Sequence, residues 1–106
     1  MARLIVLDAS VVIAALSADD AHHDAALSAS LDDMMLDAEI VIEAVTVEQA
    51  RIARQAYRDY GKGSGHKANL NFGDCFSYAL ARDTREPILF KGDDFVHTDL
   101  RSALEA

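Results

Sequence analysis

The sequence has few of the features that mark disulfide-rich, secreted or membrane proteins. It contains a single cysteine, Cys75, so an internal disulfide is impossible and the reducing cytosol is the expected compartment. No apolar run approaches the roughly 20 residues of a membrane-spanning helix, and Met1-Ala2-Arg3 leads into strand-like sequence without a secretory signal pattern. Internal repeats, linkers and low-complexity segments are also lacking. The sequence predicts one small domain over residues 1–106 that does not enter a membrane.

Basic residues are scarce as well. Ten Lys and Arg stand against 18 Asp and Glu, which gives a net charge of -8. An ordinary phosphate-binding surface depends on clustered Lys and Arg, so this balance has the wrong sign for one. The acids either form a solvated surface or hold divalent cations that reverse the local field. A basic protein segment is a further partner that this charge suits, and composition does not choose among these readings.

What the chain does contain is an alternation of strand and helix patterns. Hydrophobic residues make up 51% of the sequence, enough for a core that buries roughly two-thirds of the unfolded surface. Strands are predicted at residues 4–7, 39–45 and 88–90. Helices are predicted at residues 11–16, 21–36, 47–60 and 72–83, and the short tail over 99–106 is a further candidate helix. This order predicts an α/β fold with a mainly parallel sheet.

The third predicted helix has the clearest start signal. Thr46-Val47-Glu48-Gln49 matches a capping box, in which the Thr and Gln side chains satisfy each other's free amides. Its inward face is predicted to carry Val47, Ala50, Ala53, Tyr57 and Tyr60. Gly61 ends the helix, and residues 61–69 are predicted to form a flexible basic loop.

Aspartates stand where the predicted backbone changes type. Asp8 closes the first strand, Asp74 lies in the opening turn of a helix, and Asp93 follows the last strand. Each has a structural explanation. Asp8 would cap a helix, Asp74 would reach back to the amides of the N-cap Asn71 three residues earlier, and Asp93-Asp94 would form a turn. Ligands of parallel sheets lie beyond the carboxyl ends of the strands, however, and a shared site explains all three together. Carboxylates there favour Mg²⁺ or Mn²⁺, and activation of water against a phosphodiester.

Other reactive, aromatic or charged side chains also have structural roles that compete with functional ones. His22 and His23 are adjacent, so on a helix they point about 100° apart and are predicted to be an exposed helix start. Cys75 is predicted to be a packed thiol. The aromatic residues are predicted to be core rather than base-stacking groups: Tyr57, Tyr60, Phe72, Phe76 and Tyr78. Four basic residues flank the predicted acids and are candidates for holding RNA phosphates, although a flexible loop would carry such charges anyway: Lys62, His66, Lys67 and Lys91.

Several segments together resemble PIN-domain ribonuclease toxins of the VapC type. The resemblance covers residues 4–16 and about 31–100, and it is specific from Gly61 to Phe95. Its motifs are Val6-Leu7-Asp8-Ala9-Ser10, Tyr57-Arg58-Asp59-Tyr60-Gly61-Lys62-Gly63, Leu70-Asn71-Phe72-Gly73-Asp74-Cys75-Phe76-Ser77-Tyr78-Ala79 and Leu89-Phe90-Lys91-Gly92-Asp93-Asp94-Phe95. The resemblance implies a PIN-like three-layer α/β/α sandwich, Mg²⁺- or Mn²⁺-dependent endonucleolytic cleavage of RNA, a cognate VapB-type antitoxin that blocks the site, and homodimerisation.

The same resemblance assigns roles to individual residues. Asp8, Asp74 and Asp93 match family acids that hold the metal, with Asp94 as the alternative to Asp93 and Asp99 as a peripheral candidate. Ser10 would orient Asp8 or a water from behind the ligands, and Asn71 would support Asp74 in the same way.

The chain departs from the family pattern in its middle. PIN toxins carry a second-motif glutamate on a helix between the first strand and the segment that matches from Leu31, but residues 9–38 contain no glutamate. Glu39 and Glu43 lie on the predicted second strand, and Asp19 or Asp20 is the remaining substitute. The shortened segment also reduces helical cover and leaves apolar surface that drives association. Two hypotheses follow: a metal-dependent endoribonuclease toxin, or a catalytically impaired PIN-like module that acts by binding protein, for example by titrating an antitoxin.

Overall fold

The structure is a computed structural model that describes residues 5–8, 32–33, 35–37 and 39–104. Its named elements are strand β1 (Val6–Leu7), helix α1 (Val47–Tyr60), helix α2 (Phe72–Thr84), strand β2 (Ile88–Leu89) and a 3₁₀ helix (Asp94–His97). Residues 32–33 and 35–37 are helical, in agreement with the end of the predicted second helix. The predicted helix over 11–16, the rest of the second helix, Ser10, Asp19, Asp20 and the His22-His23 pair lie outside the described residues.

The two named strands are parallel, as the sequence predicts. Val6 pairs with Ile88 and Leu7 with Leu89, while the backbone N–H groups of Val6 and Asp8 donate to Pro87 O at 2.8 Å and Leu89 O at 2.9 Å. Val6 and Ile88 are buried in the core. Parallel pairing brings both carboxyl ends to the same edge of the sheet.

The C-terminal segment extends this sheet, so the prediction of a helical tail over 99–106 is wrong for its described part. Ile88 forms a parallel bridge with Ser102. The Ile88 N–H donates to Arg101 O at 3.0 Å, and the Ala103 N–H donates to Ile88 O at 2.8 Å. The tail satisfies the open side of β2, whose backbone groups would otherwise remain unpaired.

Helix α1 begins as predicted but buries a different face. The Thr46 Oγ1 accepts from the Gln49 N–H at 3.0 Å and completes the capping box. Gln49, Ala53 and Ala56 are buried, whereas Val47 is 71% exposed and Tyr57 38% exposed. Small alanines let α1 approach α2 closely, and the Gln49 Nε2 bonds Asp83 Oδ2 across the helix pair at 3.1 Å. The predicted inward face is therefore correct for Ala53 and Tyr60 but wrong for Val47, Ala50 and Tyr57.

The predicted second strand, residues 39–45, is not a strand in the structure. Among the described residues the segment has no strand partner, and its apolar side chains are largely in solvent: Val41 74%, Ile42 80% and Val45 58% exposed. Glu39 takes a positive φ of 56°, which ends any extended run there. Glu39 and Glu43 therefore do not lie on a strand, contrary to the prediction.

The hydrophobic core lies between the helix pair and the sheet. Its fully buried members include Leu70, Cys75, Ala79 and Ile88, contributed by the loop before α2, by α2 itself and by β2. Helix α2 thus packs with one face on α1 and contacts both strands. Within the described residues, no helix is long and apolar enough to cross a membrane.

Candidate functional site

Asp8 lies at the carboxyl end of β1. It is 5% exposed, and its backbone N–H is fixed by Leu89 O, so the residue is tied to the neighbouring strand. A charged carboxylate that is this buried requires compensating groups. The strand pair therefore places one carboxylate at the predicted edge of the sheet.

Asp74 stands in the first turn of α2. Asn71 is the N-cap: its Oδ1 accepts from the Asp74 N–H at 2.8 Å, and the Asp74 Oδ2 accepts from the Asn71 N–H at 2.9 Å. The structural role foreseen for both residues is thus present. The cap engages the Oδ2 atom of Asp74, and the partly buried carboxylate carries a second oxygen, Oδ1.

Other carboxylates act on Asp74. Burial raises the pKa of the Asp74 carboxyl above its ordinary value of 3.8, the hydrogen bond from the Asn71 backbone opposes this, and the Asp94 and Asp8 carboxylates raise the pKa further. Lys62 contributes an opposing positive charge. Asp8 and Asp94 are thus both near enough for their charges to act on Asp74, and these three aspartates form an acidic group centred on Asp74.

Asp94, rather than the predicted Asp93, is the acid of this turn whose charge acts on Asp74. Gly92 adopts a φ of 102°, which favours glycine, and the chain then enters the 3₁₀ helix. Asp93 caps that helix without a side-chain bond, while Asp94 lies in its first turn. Phe95 is 3% exposed and packs edge-to-face on Phe90 with centroids 5.3 Å apart. This aromatic contact anchors the turn that presents Asp94.

Asp99 belongs to a different network, which no sequence pattern indicates. The Tyr78 hydroxyl donates to Asp99 Oδ1 at 2.7 Å, and Arg82 Nη1 lies 3.0 Å from Asp99 Oδ2. Arg82 is eight residues after Asp74 on α2, about 12 Å farther along the helix axis. Asp99 is thus bound to the far part of α2, and the structure gives no support for its peripheral metal role.

The loop before α2 is closed by backbone hydrogen bonds, and its predicted flexibility stays a prediction. The Lys62 N–H donates to Leu70 O at 2.9 Å and the Leu70 N–H to Tyr60 O at 2.8 Å, which closes the loop at its base. Inside it, Ala68 is 1% exposed and Leu70 is fully buried. This closure sets Lys62 near the start of α2.

The remaining basic candidates differ in their surroundings. Lys62, Lys67 and Lys91 are exposed, whereas His66 is half-buried beside Tyr60. Lys91 directly follows Phe90 beyond β2, on the path to Asp94. Exposed amines close to the acidic group are suited to phosphate contacts.

Cys75 is the buried thiol that the sequence predicts. It is 1% exposed, and burial, followed by the Asp74 carboxylate, raises the pKa of the thiol to about 11. A thiolate nucleophile is therefore not formed at neutral pH.

The aromatic residues follow the prediction of a core role only in part. Tyr78 is buried and Tyr60 and Phe76 are partly buried, but Phe72 is 65% exposed and meets Tyr57 edge-to-face at 5.9 Å.

The chemistry of the acidic group fits a hard divalent cation. Its donors are carboxylate oxygens, which Mg²⁺ and Mn²⁺ prefer, and their mutual repulsion is relieved by positive charge. Across residues 5–8, 32–33, 35–37 and 39–104, no group of three or more His, Cys, Asp or Glu side chains is arranged so that it could hold a metal ion. Mg²⁺ is typically held by only one or two protein carboxylates together with waters, so an open arrangement is compatible with it.

Comparisons with known proteins agree with the motifs. A family model described as PIN domain matches residues 27–100, a range that includes Asp74 and Asp94 but does not reach Asp8. The VapC ribonuclease Mb0625 of Mycobacterium bovis is 57% identical over 86 residues, which cover 81% of this chain and 65% of that protein. The ribonuclease VapC42 of Mycobacterium tuberculosis is 60% identical over 77 residues, covering 73% of this chain and 59% of that protein.

The chain therefore spans less than two-thirds of the length of these relatives. The PIN domain match nevertheless covers most of this chain. It contains both named helices, β2 and the 3₁₀ helix. With its parallel strands and packed helices, the chain belongs to the PIN domain family, which has an α/β sandwich fold.

Proposed function

We propose that this chain is a metal-dependent endoribonuclease, the toxin component of a toxin–antitoxin pair, that cleaves RNA phosphodiester bonds. The observation that carries the proposal is the field at Asp74, where the Asp94 and Asp8 carboxylates raise its pKa. The relatives named as VapC ribonucleases support the same reaction class.

In this proposal Asp8, Asp74 and Asp94 hold Mg²⁺ or Mn²⁺, directly or through waters. Asp94 replaces Asp93 as the third acid because its carboxylate raises the pKa of Asp74. The bound cation supplies activation of a water molecule and neutralisation of charge on the scissile phosphate. Asn71 holds Asp74 through the reciprocal cap, and Ser10 remains a proposed support for Asp8.

The RNA is held by the exposed amines that border the acids. Lys62 is near enough to lower the pKa of Asp74, and Lys67 and Lys91 are exposed on the adjoining segments. These amines offset the net charge of -8 locally. Phosphate contacts of this kind position a strand without reading its sequence.

A protein partner is proposed for the apolar segment that the fold leaves uncovered. Val41, Ile42, Val45 and Val47 are all more than half exposed. Contiguous exposed apolar residues mark interaction surfaces, and a VapB-type antitoxin or a second copy of the chain would cover them. Copurification with an adjacent antitoxin, together with the mass of the free chain in solution, tests this assignment.

A catalytically impaired binding module is the second candidate function. It is favoured by the absence of glutamate from residues 9–38. Such a module would keep the protein-binding surface and lack RNA cleavage.

Calorimetric titration with Mn²⁺ and a cleavage assay on single-stranded RNA decide between the two. The nuclease binds the cation in the millimolar range or below and cleaves only when it is present, and Asp74→Asn reduces kcat/KM at least about 100-fold, since even residues behind the ligands are worth 10- to 100-fold. Absence of metal binding at millimolar concentration rejects the nuclease. Antitoxin capture without cleavage then establishes the binding module.

A further inference from the structure

His66 has a specific place inside the loop that precedes α2. Its Nδ1 accepts a hydrogen bond from the Ala68 N–H at 3.0 Å. An imidazole nitrogen accepts a hydrogen bond through its lone pair, which leaves Nε2 as the other ring nitrogen. One ring nitrogen is therefore already used by the protein backbone.

The ring is also fixed by packing. Tyr60 meets His66 edge-to-face with centroids 4.9 Å apart, and Tyr60 itself packs against the buried Tyr78 at 5.6 Å. Ala68 is 1% exposed, so its N–H has little access to water if the imidazole acceptor is removed. A buried backbone donor without a partner is costly, and the loop depends on His66 for this bond.

The loop in turn positions two residues that act on Asp74: Lys62 at its first end and Asn71 at its second. At its first end, Lys62 bonds Leu70 through the backbone and brings its charge to Asp74. At its second end, Leu70 is fully buried and leads directly into Asn71, the cap that holds Asp74. A change in the loop at Ala68 therefore moves Lys62 and the start of α2 together.

We propose that His66 is a positioning residue of the nuclease site, acting through Nδ1 on the loop rather than through Nε2 on an RNA phosphate. This replaces the phosphate-binding role that the sequence suggested for His66, and its catalytic part rests on the proposed function. The structural part, the brace on Ala68, stands by itself.

Two substitutions separate the nitrogens. Asparagine carries an amide oxygen near the position of Nδ1, and glutamine carries its amide near the position of Nε2. His66→Asn is expected to keep RNA cleavage within about threefold of the unmodified chain, whereas His66→Gln lowers kcat at least about tenfold with little change in KM. Loss of a phosphate contact would instead raise KM.

Amide hydrogen exchange provides a readout that needs neither RNA nor metal. The Ala68 amide is expected to be protected in the unmodified chain and in His66→Asn, and to exchange at least about tenfold faster in His66→Gln. If no form cleaves RNA, the proposed function fails while this exchange order still supports the brace.

Three outcomes overturn the inference: activity retained by His66→Gln and lost by His66→Asn, full activity and protection in both variants, or loss of protection in both. Where His66→Gln does not fold, His66→Asn decides alone. Its protection of Ala68 supports the brace, and its loss of protection rejects it.

Discussion

Asn71 and Asp74 hold each other's backbone through reciprocal hydrogen bonds of 2.8 and 2.9 Å. The cap uses Asp74 Oδ2, while the same carboxylate is subject to the fields of Asp94 and Asp8. Capping a helix and binding a cation are therefore compatible roles for this residue, since they need different features of one side chain: an acceptor oxygen for the cap, and a negative charge for the metal.

Substitutions at Asp74 are expected to separate these roles. Asp74→Asn keeps an acceptor for the Asn71 amide and removes a repelled charge, so the metal-free variant is expected to be at least as stable as the unmodified chain. Asp74→Ala removes the acceptor and is expected to lower the free energy of unfolding by about 1 kcal/mol. Urea unfolding in the presence of a chelator measures both, and equal losses in the two variants would contradict the prediction.

The adjacent pair Asp93 and Asp94 provides a matched test of the third acid. Both are exposed and lie one residue apart, but Asp94 is the one that raises the pKa of Asp74. Asp94→Asn is expected to weaken Mn²⁺ binding at least about tenfold, and Asp93→Asn to weaken it much less. Calorimetric titration of both variants gives the comparison, and the reverse order would restore Asp93 as the ligand.

Locally determined features could be predicted from the sequence. Both capping boxes, Thr46 with Gln49 and Asn71 with Asp74, follow from side chains three residues apart. The parallel pairing of the strands followed from the alternation of elements. The position of Asp8 at the end of β1 followed with it.

Features set by distant partners could not be predicted in this way. Asp93 and Asp94 cannot be told apart by their residue type, and their different placement depends on the turn at Gly92 and on the packing of Phe95. Residues 39–45 have the composition of a strand but lack a pairing partner among the described residues. Asp99 accepts a hydrogen bond from Tyr78, which lies 21 positions away in the chain.

Alkaline pH is expected to weaken the fold through Tyr78. Burial raises the pKa of its phenol above the ordinary value of 10.0, and the hydrogen bond to Asp99 raises it further. The folded chain therefore keeps this proton at pH values where the unfolded chain loses it, so stability falls as pH rises above about 10. Tyr78→Phe lacks the phenol but retains Cys75, whose pKa is also raised in the folded chain. Any dependence of stability on alkaline pH that remains in this variant therefore comes from groups other than Tyr78.

The measurement is the urea midpoint from pH 8 to 11 for both proteins. At pH 8 the unmodified chain is expected to be the more stable, because Tyr78→Phe leaves Asp99 without its hydroxyl donor. The difference is expected to narrow as pH passes 10. Parallel curves would show that Tyr78 does not couple folding to pH.

Gly61 is expected to be the glycine that tolerates a side chain least. A Cβ at this position would lie 2.2 Å from Tyr57 O and 2.7 Å from Tyr57 Cδ1, so the junction between α1 and the loop must shift. Gly61→Ala is expected to destabilise the chain by about 1–3 kcal/mol and to displace Lys62, which follows directly.

Gly63→Ala is the control, since a Cβ there meets nothing within 4 Å and the cost is confined to its left-handed φ of +88°. Urea unfolding gives the two stabilities, and Mn²⁺-dependent RNA cleavage at matched folded fraction gives the effect on the site. Because Lys62 is displaced only in Gly61→Ala, cleavage is expected to fall in that variant beyond what its unfolded fraction explains. Equal cleavage by the folded fractions of both variants would show that the geometry of the loop base does not reach the acids.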